Sequence, residues 1–296
     1  DQVSSDTQLA LGGYACHGRP VHLYLNGLYW GLYWLHERPD DSFAASYMGG
    51  TKDDYDVLKH DYGNVLSGSN EDYIAMFALS ASAPDAVTAF NNLKQKLDVE
   101  DFIDYLIANF YIGNGDWDAK NWYASRNRFD PAGRWRWHMW DGEHIMDDGT
   151  SLAPEDVTTK NNSMAPTGLH QKWIANAEYR TLFGDRVHKH FYHNGALTPA
   201  NFAILFTNLT SQIDRAIVGE SARWGDNREN LSPYKVYTRT DWLAECNRLL
   251  TSFIPGRRDV VLSQFTGKSP AWYPWVTVPE LYINNVILYG GDAAVG

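Results

Sequence analysis

Residues 115–123, GDWDAKNWY, crowd Asp116, Asp118, Lys120 and Asn121 among two tryptophans and a tyrosine. Carboxylates this close repel one another unless something positive lies between them. Three readings are open: a polar turn whose acids cap their own backbone, a calcium loop, or a loop that handles a nucleotide-bound metal. The calcium reading opens well, with Asp116-x-Asp118, and then fails. The sixth position is Asn121 where a glycine is needed, and the twelfth is Asn127 where a bidentate glutamate is needed. The third reading rests on spacing. Asp116 and Asn121 stand five residues apart, the separation at which kinase catalytic loops set an acid for the acceptor hydroxyl and an asparagine for a metal.

The flanks bear on the choice. Upstream, residues 98–112 place Phe102, Ile103, Leu106, Ile107 and Phe110 on one stripe, which predicts a helix with Asp98 as its N-cap. Gly113-Asn114-Gly115 ends that helix. Downstream, residues 121–126 read as a short strand and 130–133, DPAG, as a turn. Residues 134–144, RWRWHMWDGEH, form a second strand with Trp135, Trp137 and Met139 on one face. That strand ends at Asp141-Gly142, twenty residues beyond Asn121, with Glu143 next. Helix, Asp-x-x-x-x-Asn loop, hairpin and Asp-Gly follow one another in the order of a kinase's metal-handling parts. Asp141 reads as a metal ligand and Glu143 as a second or outer ligand.

Further out, Val21, Leu23 and Leu25 alternate with polar residues, and Asn26-Gly27 predicts a tight hairpin turn into the aromatic run Tyr29 to Leu35. A short helix is expected over 41–47 and a second hairpin over 51–69, with Tyr55, Val57 and Lys59 on one face. Helical pattern resumes near Ala86. After a polar, aperiodic stretch at 148–166, helices are expected over 169–194, 199–224 and 242–265, and strand character returns after Pro274. Strands first, then a helix, a polar loop, a strand ending in an acid and more helices make an α+β chain: a β-rich front lobe and a mainly helical back lobe.

The chain has 296 residues, 25 basic and 36 acidic, for a net charge of −11. One elaborate domain suits that length. The acidic balance argues against nucleic acid and anionic membrane and favours a basic partner. No apolar run is long enough to span a membrane. Cys16 and Cys246 have no metal spacing and pair only if the fold joins them. The 12 Trp, 18 Tyr and 12 Phe suit an aromatic core, or platforms for a sugar or an adenine. A glycosidase using Asp116 with Asp141 or Glu143 is therefore a competing reading. His188, His190 and His193 do not share a helix face, which argues against a metal site there. Glu37 and Lys59 read as surface charges unless the kinase order holds, in which case a lysine–glutamate pair orients phosphates.

These segments resemble the CotH-type family of atypical kinases, the spore coat protein H family. The resemblance lies in LYLNGLYWGLYWLHERPDDSFAASYMGG, DDYDVLKH, DFIDYLIANFYIGNGDWDAKNWY and RWRWHMWDGEHIM, with support from FGDRVHKHFYHNGALTP and AIVGESARWGD. It covers residues 1–275. It implies an atypical protein-kinase-like fold that uses ATP and Mg²⁺ or Mn²⁺ to phosphorylate serine on secreted or coat proteins. On the matching positions Asp116 is the catalytic aspartate, Asn121 and Asp141 hold metal, and Glu143 is a second acid. Glu37 and Lys59 fall at recurring front-lobe positions on the cofactor side. The implied partner is a Ser-rich, basic protein, and the implied setting is secreted or at the surface of a bacterium. The family's glycine-rich nucleotide-covering segment is expected ahead of residue 1, and 276–296 read as the start of a further β segment. A catalytically inactive pseudokinase or surface scaffold is the alternative within the family.

Overall fold

The computed structural model describes residues 1–147, 154–227, 229–231 and 233–274, together with the backbone of 281–283 and 286–288. It opens with helix α1 (Gln2–Ala10), whose buried face is polar: Ser4, Thr7 and Gln8. Gln8 explains how such a face is tolerated. Its amide donates to the Trp137 carbonyl (2.6 Å) and its oxygen accepts from the Met139 amide (2.8 Å), satisfying a strand edge from the helix side. The hairpin β1 (Gly18–Leu25) and β2 (Leu28–His36) turns on Asn26 and Gly27, both at positive φ. It forms its own two-stranded sheet. Its outer strand docks on a later helix, where Glu220 accepts from the Leu32 amide (2.6 Å) and Trp224 donates to the Trp30 carbonyl (2.5 Å).

Helix α2 (Asp41–Met48) starts at Asp40, whose carboxylate caps Ser42 and Phe43. The second hairpin is β3 (Tyr55–Lys59) and β4 (Asp61–Ser67), followed by α3 (Glu71–Ala78) and α4 (Ala86–Lys94). Helix α5 (Val99–Ile112) is the central element: every residue but Glu100 is buried. Asp98 caps it and Gly113, at φ 65 and ψ 48, ends it, as the sequence predicts. The strands β5 (Trp122–Asn127) and β6 (Arg136–Met139) then join the second hairpin in one antiparallel sheet of order β4-β3-β5-β6. That sheet draws two strands from before α5 and two from after it. Trp117, Trp122, Trp135, Trp137 and Trp173 are fully buried, so much of the aromatic content is core.

The remaining helices are α6 (Pro166–Trp173), α7 (Ala177–Phe191), α8 (Pro199–Ile213), α9 (Ala216–Trp224), α10 (Arg239–Arg248) and α11 (Ile254–Thr266), with β7 (Leu281–Ile283) and β8 (Val286–Leu288) after them. The chain is α+β. The long helix expected over 169–194 is two helices, because Asn176 leaves helical geometry and its side chain caps Tyr179 instead. The one expected over 199–224 breaks at Asp214–Arg215. The third is interrupted by a π-turn at Leu249–Phe253, just ahead of Pro255, which cannot donate to a regular helical bond. The expected loop over 148–166 lies partly outside the described residues, and so does most of the segment expected over 276–296. Cys16 and Cys246 are both free thiols, the first buried.

Candidate active site

Strand register assembles the site. Lys59 pairs with Tyr123 across β3 and β5, and Trp122 pairs with Met139 across β5 and β6. Lys59 at the end of β3, Asn121 just before β5, and Trp140-Asp141 just after β6 therefore emerge at one end of the sheet. Two backbone bonds extend the alignment. Gly115 donates to the His144 carbonyl (3.1 Å), and Met146 donates to that of Ile112 (2.7 Å). The Asp-x-x-x-x-Asn loop thus runs beside the segment carrying Asp141 and Glu143.

His60 locks this end. Its backbone amide donates to the Trp122 carbonyl (2.9 Å), and its Nδ1 accepts from the Asn121 amide (2.8 Å). Nδ1 is therefore unprotonated. Burial holds the His60 pKa below its ordinary value, Lys59 adds to that, and Asp141 opposes it. His60, Asn121 and Asp141 all sit at positive φ (66°, 64° and 59°). For residues other than glycine each such position costs about 1–3 kcal/mol and is kept where surrounding structure enforces it.

Within the loop, Asn121 Nδ2 donates to the Asp116 carbonyl (2.9 Å) and to Asp116 Oδ2 (3.1 Å). Lys120 Nζ stands 3.3 Å from the same Oδ2. Both contacts fall on the same carboxylate oxygen, on a side chain that is 23% exposed. With Nδ2 so used, Asn121 keeps Oδ1 as a buried acceptor that no group among the described residues donates to. Such an orphan is costly in a finished core, and a carboxamide oxygen is chemically able to ligate a cation.

Asp118, read in the sequence as part of the same crowd, has another role. It is buried, and its carboxylate accepts from the Thr167 amide (2.6 Å), Thr167 Oγ1 (2.9 Å) and Asn162 Nδ2 (2.6 Å). The N-cap residue of α6 is Ala165, which has no capping side chain. Asp118 supplies that cap from a distance. Burial raises its pKa despite these bonds.

Asp141 and Glu143 are exposed and are joined by Asp1. One carboxylate oxygen from each of the three lies within 4.8 Å of the others. Among the described residues this is the one grouping of three or more His, Cys, Asp or Glu close enough to share an ion. Asp1 Oδ1 accepts from the Gly142 amide (2.7 Å). Gly142 makes the approach possible, since a Cβ there would fall 2.5 Å from Ser4 Oγ on α1. Carboxylates plus a carboxamide oxygen are the hard donors that Mg²⁺ and Mn²⁺ favour, so these residues fit such an ion. Asp1 is the residue that sequence reasoning missed. It lies 140 positions from Asp141, and no local pattern marks it.

Glu37 and Lys59 do not pair with each other among the described residues. Glu37 accepts from the His17 amide (2.9 Å) and the Tyr47 hydroxyl (2.7 Å), and it contacts His17 Nδ1 (3.1 Å). Burial pushes its pKa up, but those bonds outweigh burial and hold it below the ordinary value. Lys59 Nζ lies over the rings of Tyr123 (5.3 Å) and Trp140 (5.6 Å). Lys59, Asn121 and Asp141 are brought to one end of the sheet, whereas Glu37 is held in a separate polar cluster with His17 and Tyr47.

The family model described as CotH kinase protein matches residues 1–261, most of the chain. No curated protein matches it. No helix among the described residues is long and apolar enough to cross a membrane.

Proposed function

The chain belongs to the CotH kinase protein family, and on that premise we propose that it transfers the γ-phosphate of ATP to a serine hydroxyl of a basic, serine-rich protein of the secreted or coat type. The observation that carries this reading is the meeting of Lys59, Asn121 and Asp141 at one sheet end, with the Asp116 loop hydrogen-bonded alongside.

Each residue then has a task. Asp116, held through Oδ2 by Asn121 and Lys120, orients the serine hydroxyl and takes its proton as oxygen attacks phosphorus and the bond to ADP breaks. Asn121 Oδ1 and the carboxylates of Asp141 and Glu143 would hold Mg²⁺ or Mn²⁺. When bound, the metal supplies neutralisation of charge on the phosphates. Lys59, seated on aromatic faces rather than on a carboxylate, offers its charge to the same phosphates. Catalysis is then mostly positioning and charge complementarity. The net charge of −11 favours encounter with a basic acceptor.

The experiment is transfer of labelled γ-phosphate to a peptide rich in Ser, Lys and Arg, with Mg²⁺ or Mn²⁺. Wild type should label the peptide, and Asp116→Ala and Asp141→Ala should not. Equal labelling by all three proteins, or none by wild type with either metal, overturns the proposal.

A further inference from the structure

Arg38 and Lys59 come from different hairpins and meet over one ring. The Arg38 guanidinium carbon lies 5.8 Å from the centroid of Trp140, and Lys59 Nζ lies 5.6 Å from it. Trp140 is half-buried and fixed by Tyr123 (5.2 Å, edge-on) and His36 (5.3 Å), and the next residue is Asp141. The two cations therefore stand beside the metal-type acids.

Neither cation forms an ion pair among the described residues, in a chain with 36 acids and 25 basic groups. Elsewhere Arg126, Arg128, Arg136 and Arg186 each hold a carboxylate. The acids nearest Arg38 in sequence are all committed. Glu37 is held by His17 and Tyr47, Asp40 caps α2, and Asp41 accepts from the Ser42 amide. A guanidinium lying over an aromatic face keeps its N–H edge outward, in the fork that matches phosphate oxygens.

We propose that Arg38 is a second phosphate-binding cation of the nucleotide site, acting with Lys59 across Trp140. This rests on the kinase reading above. Lys59 acts as a point charge and Arg38 as a two-pronged donor, and a polyphosphate chain reaches both because they share one ring. Arg38 positions the phosphates and leaves the adenosine portion untouched.

The test is direct binding of ATP, AMP and adenosine with Mn²⁺ present, by calorimetry, to wild type, Arg38→Gln, Arg38→Lys and a control, Arg19→Gln. Arg19 is exposed on the neighbouring strand β1. Loss of one charge-assisted phosphate contact should weaken ATP binding by about tenfold. The loss should shrink for AMP and vanish for adenosine. Arg38→Lys should recover part of the ATP affinity, and Arg19→Gln should match wild type. Thermal unfolding of the variants should match wild type, since Arg38 is exposed. If wild type binds ATP and Arg38→Gln binds it equally well, this inference falls and the kinase reading stands. If Arg38→Gln weakens adenosine and ATP alike, Arg38 supports the fold of the site and the inference falls. If wild type binds no nucleotide, the inference falls together with the reading beneath it.

Discussion

The four-stranded sheet has two ends with opposite treatments of charge. At the end where β3 begins, Asp56 is buried at 2% exposure and fully satisfied. It accepts from the Ser69 amide (2.8 Å), Arg126 (3.0 Å) and Arg128 (3.1 Å). Arg126 also holds Asp72 (2.9 Å), which in turn holds Lys96 (2.5 Å) and the indole of Trp135 (3.1 Å). At the other end Lys59 and Arg38 lie over rings without a carboxylate. Asp1, Asp141 and Glu143 crowd together, and Asn121 Oδ1 has no donor among the described residues. Three residues there adopt positive φ. The first end is held by ion pairs between its own side chains, although Arg126 Nε there has no hydrogen-bond partner among the described residues. On the proposed function the second is completed by a ligand, and its positive-φ residues are the stability given up for that purpose.

The contrast can be broken most sharply by one acid from each end. Asp141→Ala should reduce phosphate transfer by about a thousandfold or more, in line with loss of a metal ligand or transition-state contact. Its unfolding midpoint should fall only slightly, because Asp141 is exposed, although alanine fits its positive φ less well than aspartate. A large drop in stability would show that the open end is structural after all.

Asp56→Ala should do the reverse. Removing the carboxylate leaves Arg128 without its acid and Arg126 with Asp72 alone, at a cost of about 3 kcal/mol in denaturant unfolding. Transfer per folded molecule should be retained. Loss of activity without loss of stability would erase the division between the ends.

A smaller effect belongs to the sheet's interior. His138 on β6 is fully buried between Ser125 Oγ (2.7 Å to Nε2) and the Tyr14 carbonyl (2.8 Å to Nδ1). Burial lowers its pKa to about 4, and burial lowers that of His170 to about 3. An unfolded histidine binds its proton near pH 6.5. Below that value the unfolded chain holds protons that the folded chain refuses, so stability falls as pH falls. The slope approaches about 1.4 kcal/mol per pH unit for each histidine. It persists down to the folded values, near 4 for His138 and near 3 for His170. Between pH 6.5 and 5 His138→Gln should reduce the acid-side slope of the unfolding free energy by roughly that single-histidine amount. An unchanged slope would assign the acid sensitivity to the ends.

Much of the architecture was legible in the sequence. The capped α5, the Asn26-Gly27 hairpin and the two strands flanking residue 130 announce themselves through periodicity and turn chemistry, which are local properties. Helix breaks were less legible. Asn176 is an acceptable helix residue by composition, and only its competing bond to Tyr179 ends one helix and starts another. Helix α1 hides for a related reason: its buried face is polar, so no apolar stripe marks it, and its partners on β6 lie about 130 residues away.

The site divides the same way. The spacing of Asp116, Asn121 and Asp141 is written in the chain, because a loop between a helix and a hairpin has few ways to run. The sequence alone therefore determined the α+β class, the run of helix, loop and hairpin from Asp98 to Asp141, and the spacing of its acids. Only the tertiary structure decided that Asp1 joins Asp141 and Glu143, that Arg38 and Lys59 share Trp140, and that Asp118 caps α6. Those contacts link residues far apart in sequence. They exist only once packing of the core has set where each segment ends, and no local pattern carries that information.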